Sequence, residues 1–317
     1  MRVAVAGAGA FGLKHLDALK LIDGVEIAAV VSRRLEQARE VADKYGAPLA
    51  TDNLAVVLDD ASIDAVILCT PTQLHAEQAV ETMRSGMHVQ IEIPLADNWS
   101  DALMVASLAK ETGLTCMVGH TRRFNPSHQW IHQRVVRGEL TIQQMDVQTY
   151  FFRRTNINAL GHSRSWTDSL LWHHAAHTVD LFAHQTLSPI EIAHCLAGPT
   201  DAQLGIPMDM SIQLKSASGS ICTLSLSFNN DGPLGTFFRY ICDNGTFIAR
   251  YDDLVTGRDE VVDLSGVAVS NNGIELQDRE FVSAILDQRE PNGSVRQVLG
   301  CYEVLDKLQS ELSATST

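Results

Sequence analysis

The run Val3-Ala4-Val5-Ala6-Gly7-Ala8-Gly9-Ala10-Phe11-Gly12 decides the architecture of this chain. Its four small or branched apolar residues predict a buried strand, and the spacing Gly-x-Gly-x-x-Gly predicts a tight turn into a helix. Gly7 permits the turn, Gly9 lets a pyrophosphate approach the backbone, and Gly12 lets helix and strand pack closely. The amides of the first helical turn, at Ala10 and Phe11, then face an anion. Strand, glycines and helix together imply a dinucleotide-binding element.

Outward from this run, short apolar segments alternate with helical periodicity. Val25 to Val31, Ile63 to Cys69, His88 to Ile91 and Thr115 to Gly119 read as strands, which is the pattern of a parallel sheet covered on both faces. Beyond about residue 120 the chain changes character. Strand-like runs from Ile142 to Arg250 are broken by turn residues, with Ser218-Gly219 and Asp243-Asn244-Gly245 marking hairpins. The expected fold is therefore α/β plus α+β. Residues 1–122 form a Rossmann dinucleotide-binding domain. Residues 123–317 form a substrate-binding and oligomerisation domain with an open, mainly antiparallel sheet, helices on one side, and C-terminal helices returning towards the first domain. The open sheet face favours pairing into a homodimer.

Among 317 residues, 24 Lys and Arg face 38 Asp and Glu, a formal charge of -14 that opposes binding to nucleic acid or an anionic membrane. Cys69, Cys116, Cys195, Cys222, Cys242 and Cys301 show no metal-like spacing and read as reduced cytoplasmic thiols. The first residues enter a strand at once, and no stretch is long and apolar enough to span a bilayer.

Where the second strand ends, an NAD site commonly places a carboxylate against the ribose 2'-hydroxyl. This chain has Ser32-Arg33-Arg34 instead. A hydroxyl and guanidinium groups suit a 2'-phosphate, so the expected cofactor is NADP. Thr70-Pro71-Thr72 and His75 follow a buried strand at the carboxyl edge of the sheet, where they wall the nicotinamide side; His75 also has a helix-capping reading.

Thr70-Pro71-Thr72 with His75, then Glu92-Ile93-Pro94, then His177-Thr178-Val179-Asp180 occur in an order that resembles the glucose-fructose oxidoreductase, inositol dehydrogenase and biliverdin reductase family along nearly the whole chain. The resemblance implies a nicotinamide-dependent dehydrogenase in which Glu92, Ile93 and Pro94 border the cofactor. The family's Glu-Lys-Pro lysine is Ile93 here. Its acid-base histidine corresponds to His177, and the aspartate four residues earlier is His173. These departures speak against the family's common sugar-alcohol mechanism; the signature Ser169 to Phe182 resembles one branch of the family, and that resemblance implies NADP as cofactor and a small dicarboxylate lactol from aromatic catabolism as substrate. Alternatives are a sugar, inositol or dihydrodiol dehydrogenase, or a non-catalytic NADP-binding sensor.

At four-residue spacing His173 and His177 share one helix face. Either imidazole suits removal of a hydroxyl proton near neutrality, with an ordinary pKa of roughly 6.5. His177 is the preferred base and His173 the substrate contact or alternate base, with His174 turned away. Asp180 either orients His177 or closes a packing network. His173, His177 and Asp180 also resemble a ligand set, but hydride acceptance by a nicotinamide needs no metal, and none is expected. For the carboxylates, Arg123, Arg154 and Arg164 are the expected partners, with His120 and Asn125 as donors. Adjacent arginines on an extended strand point oppositely, so one member of each pair is expected to reach the ligand.

Overall fold

The computed structural model describes residues 1–157, 161, 167–269 and 273–315. The chain divides into two compact units, Met1–Gly119 with Ile274–Leu299, and His120–Gly273 with Gly300–Thr317.

In the first unit, β1 (Arg2–Ala6), β2 (Glu26–Val31), β3 (Leu49–Thr51), β4 (Ala65–Leu68), β5 (His88–Ile91) and β6 (Cys116–Val118) form one sheet in the order β3-β2-β1-β4-β5-β6. Every pairing is parallel. The connecting helices are α1 (Ala10–Leu19), α2 (Leu35–Tyr45), α3 (Leu54–Leu58), α4 (His75–Arg84) and α5 (Trp99–Thr112). β4 is buried throughout and β1 from Val3 to Ala6, as continuous Val, Ala, Ile and Leu runs require. Asn98 caps α5 by accepting the Asp101 amide at 2.9 Å, a bond contributing about 1 kcal/mol. Strand order reverses between β1 and β4, so the carboxyl edge of these two strands is the binding crevice of such a sheet.

The second unit opens with α6 (Pro126–Val136), whose first position holds proline, and β7 (Ile142–Tyr150). A π-helical turn, Leu170–Ala175, runs into α7 (Ala176–Thr186). There follow β8 (Ile190–Ala197), β9 (Asp209–Ser216), β10 (Ile221–Ser227), β11 (Gly235–Cys242), β12 (Gly245–Arg250) and β13 (Asp253–Thr256). Seven strands pair in the order β13-β12-β11-β7-β10-β9-β8, antiparallel except where β7 meets β10. Both hairpins expected from Ser218-Gly219 and Asp243-Asn244-Gly245 are present.

On β9 Met210, Ile212 and Leu214 are buried while Ser211, Gln213 and Lys215 are exposed, so this sheet has one covered face and one open face. Phe182, Phe228, Phe238 and Tyr240 fill the covered side; an apolar ring fully withdrawn from water contributes about 1.5–3 kcal/mol.

Two helices close the chain, α8 (Ile274–Leu286) and α9 (Val295–Thr315). Sequence periodicity places the first of them only from Glu280, because Gln277 and Asp278, both fully buried, interrupt the apolar stripe with polar side chains. Among the described residues no helix is long and apolar enough to cross a membrane.

Candidate active site

The turn between β1 and α1 is built for a phosphate. Gly7 has φ +109, and a Cβ there would sit 2.3 Å from the Cys69 carbonyl oxygen. A Cβ on Gly12 would stand 1.8 Å from the Gly7 oxygen, whereas one on Gly9 would meet nothing within 4 Å. Two glycines are thus fixed by packing and the third faces open space. α1 has no side-chain cap and no acid in its first turn, so its leading amides are available to an anion. These residues fit the pyrophosphate of a dinucleotide.

At the end of β2, Ser32 donates its hydroxyl to Gln37 Oε1 at 3.0 Å, and Gln37 Nε2 donates to the Ala8 oxygen at 2.9 Å. Arg34 also reaches Gln37, at 3.3 Å, and Arg33 is exposed. The glutamine therefore links the phosphate turn to the Ser32–Arg34 segment.

On the opposite side of the crevice, the His75 ring is buried with Nδ1 2.8 Å from the Pro94 oxygen and Nε2 2.7 Å from the Thr70 oxygen. Burial pushes its pKa down, against the pull of those two carbonyls. It lies between two backbone turns, its single N–H when neutral serving one carbonyl at a time, and does not cap α4. Thr70 donates to Gln78 at 2.6 Å, and Thr72 is buried. Glu92 accepts from His15 Nε2 at 3.0 Å, while Ile93 is half-buried beside it.

In the second unit His177 sits at the start of α7, its Nδ1 enclosed without a hydrogen-bond partner. Burial, then the Arg122 charge, then His120 and His174 push its pKa well below the ordinary imidazole value; Asp180 opposes them weakly. The ring is therefore neutral at working pH, as a proton acceptor must be. Its neighbours differ from those expected. A π-helical turn carries His173 and His174 and runs directly into α7. His173 Nδ1 accepts the Ser169 amide at 3.0 Å and holds the turn. His174 is the imidazole whose charge is felt at His177, and its ring packs against Phe151 and Phe228 at 5.4 and 5.0 Å. Among the described residues no three His, Cys, Asp or Glu side chains gather to hold a metal ion.

The arginines are also redistributed. Arg122 and Arg123 lie in a 3-10 turn, Thr121–Phe124, where strand alternation does not apply. Arg123 is 5% exposed and bound at two points to Asp180, with Nη2 to Oδ1 at 2.6 Å and Nε to Oδ2 at 2.8 Å. Asp180 closes this network and does not orient His177. Burial would raise its pKa, but Arg123 and then His120 hold it at about 2.

Arg122 lies over the Tyr251 ring at 5.0 Å, touches Asn125 Oδ1 only at 3.5 Å, and keeps a buried Nε without a partner. It is the arginine with unspent donor capacity beside His177. Arg154 is exposed and bonds to Phe228 and Asn229, while Arg153 pairs with Asp168 at 2.6 Å and leaves Nη1 buried and unbonded. His120 contacts Tyr302 and Asp180, each at 3.4 Å, and Asn125 donates to Asp252 at 2.6 Å, so the bonds of both residues turn inward. Arg164 lies outside the described residues.

Arg122 and His174 were passed over for their neighbours because the 3-10 and π turns leave no distinct periodicity. His15 and Asp278 carried one signal each, a titratable side chain on an otherwise apolar helix face.

Residues 1–120 match the model of the oxidoreductase family with an NAD-binding Rossmann fold, and residues 126–268 match that of the bacterial oxidoreductase C-terminal domain. The chain is 68% identical over 312 residues to 4-carboxy-2-hydroxymuconate-6-semialdehyde dehydrogenase of Sphingobium sp. (strain NBRC 103272 / SYK-6), covering 98% of this chain and 99% of that protein. Similarity to scyllo-inositol 2-dehydrogenase (NAD(+)) of Bacillus subtilis (strain 168) is 31% over 141 residues, 44% of this chain and 41% of that one. Among solved structures, UDP-N-acetylglucosamine 3-dehydrogenase of Acidithiobacillus ferrooxidans shares the fold, with a TM-score of 0.85 at 20% identity over 100% of this chain and 99% of that chain.

Proposed function

The chain belongs to the Rossmann oxidoreductase family that includes glucose-fructose oxidoreductase and inositol dehydrogenase, and from that premise we propose that it oxidises the lactol form of 4-carboxy-2-hydroxymuconate-6-semialdehyde to 2-pyrone-4,6-dicarboxylate in protocatechuate 4,5-cleavage. The observation that carries this reading is 68% identity along 98% of the chain to a dehydrogenase of that name.

The reaction removes a hydride from the hydroxyl-bearing carbon and a proton from its hydroxyl oxygen. Bound NADP supplies the hydride acceptor. His177, neutral and with an unbonded Nδ1, takes the hydroxyl proton as the carbonyl forms. Arg122 anchors a carboxylate through its Nε donor, which the fold leaves unused, and Arg153 offers a second cation. The lactol ring oxygen assists hydride departure with its own lone pair, so the family lysine is dispensable and Ile93 stands in its place. Arg164 remains a further candidate for a carboxylate from its sequence position.

NADP is preferred through Ser32 and Arg33. The six cysteines are free, five of them buried, which favours a reducing compartment such as the cytoplasm. Exposed Ile221, Ile192 and Leu196 on the open sheet face favour a homodimer built on that face.

The test is cofactor reduction with the semialdehyde dicarboxylate, with sugars and with inositols, each under NAD and NADP. Turnover confined to the dicarboxylate supports the reading, and turnover confined to polyols sinks it. His177→Asn should lower kcat by about 10²–10⁴-fold.

A further inference from the structure

A buried group that the proposed chemistry does not use lies beneath the cofactor turn. His15, on the inner face of α1, is 0% exposed. Its Nδ1 lies 2.9 Å from both Asp278 oxygens and its Nε2 lies 3.0 Å from Glu92 Oε1. Gln90 Nε2 donates to Asp278 Oδ1 at 2.7 Å.

A neutral imidazole has one N–H, and ionised carboxylates only accept. Two carboxylates facing the two ring nitrogens therefore require an extra proton among the three groups. Asp278 Oδ1 also accepts from Gln90, and an imidazolium is the arrangement in which both ring nitrogens donate, one to each carboxylate, so the proton is placed on the ring. Burial lowers the ring's pKa, but Asp278 and, to a lesser degree, Cys69 reverse that and hold it well above the ordinary value.

We propose that His15 is a positioning residue for hydride transfer, an imidazolium clamped between Asp278 and Glu92 that fixes the Glu92-Ile93-Pro94 turn. This rests on the dehydrogenase reading above. The Ile93 side chain offers no hydrogen bond, so side-chain anchoring of the turn falls to its flanks. His15 holds Glu92 at one end, and His75 holds the Pro94 carbonyl at the other. The groups facing His15 are Asp278 from α8, itself bonded by Gln90 of β5, Glu92 just after β5, and Cys69 just after β4. In this arrangement α8 sets the position of a residue at the cofactor crevice through one shared ring.

The experiment is 15N spectroscopy of the histidine rings in the full-length protein, alongside kinetics of Asp278→Asn. In the native protein both His15 nitrogens should stay protonated from about pH 6 to 9, beyond the ordinary imidazole range. In Asp278→Asn the ring should ionise near neutrality. Its neutral form has one tautomer with no proton for Glu92, so kcat should fall roughly tenfold as pH rises through that ionisation, the cost of a loosened reacting geometry. NADP Kd should stay within about threefold, because the phosphate turn is untouched. A neutral His15 in the native protein at neutral pH would overturn the proposal. So would an Asp278→Asn enzyme that loses kcat and thermal stability together with no new pH dependence. The spectra need no substrate and no folded variant, so failure of this inference is distinguishable from failure of the dehydrogenase reading.

Discussion

Arg123 holds Asp180 through two parallel contacts of 2.6 and 2.8 Å, joining the junction turn before α6 to the middle of α7. With both groups buried, removing either leaves a charge that water cannot reach. Asp180→Asn should destabilise the protein by about 3–5 kcal/mol, read as a lowered urea midpoint. Arg154→Ala, at an exposed site, should stay within about 0.5 kcal/mol of the native protein. Equal stability of the two variants would show that the pair is incidental.

With Arg123 committed to Asp180, Arg122 is the proposed partner of a substrate carboxylate. Arg122→Ala should raise KM for the dicarboxylate by about 10- to 100-fold, the loss of one or two charge-assisted bonds, while NADP Kd is unchanged. A larger effect from Arg154→Ala would restore the expectation drawn from sequence.

The histidines fix the response to acid. His177 must be neutral to accept a proton, and its pKa is held well below 6.5, so kcat/KM should be level through neutrality and decline only below about pH 6. Stability follows a related course. His128 and His177 are depressed chiefly by burial, and His184 is depressed to about 3. The unfolded chain takes up protons on these groups first, so thermal stability should fall as pH drops through about 6.5 towards the folded-state values. A stability maximum near pH 5 would contradict this.

Cofactor choice is testable at one position. Arg33→Ala should lower the NADP-to-NAD efficiency ratio by about 10- to 100-fold, since a guanidinium contact with a 2'-phosphate contributes about 1.5–3 kcal/mol. An unchanged ratio removes Arg33 from the site.

The parts legible in the sequence were those set by local chemistry. Gly7, Gly9 and Gly12 specify a backbone path that few other residues allow, and Gly219 and Gly245 mark hairpins for the same reason. The partner of Arg123 is decided 57 residues away at Asp180, and His15 meets Asp278 across 263 residues. Such choices leave no trace in a short window. His173 and His174 differ by one position, and the apolar pattern Leu170, Leu171, Trp172, Ala175 and Ala176 suits an α-helical or a π turn alike.

That turn gives chain length an unusual role. A π turn accommodates one surplus residue, so which imidazole neighbours the proposed base is settled by counting backbone steps, not by side-chain chemistry. Loss of one alanine from Ala175-Ala176 would move His173 to the three-residue separation from the base that His174 now has, and His174 to two, without altering either ring.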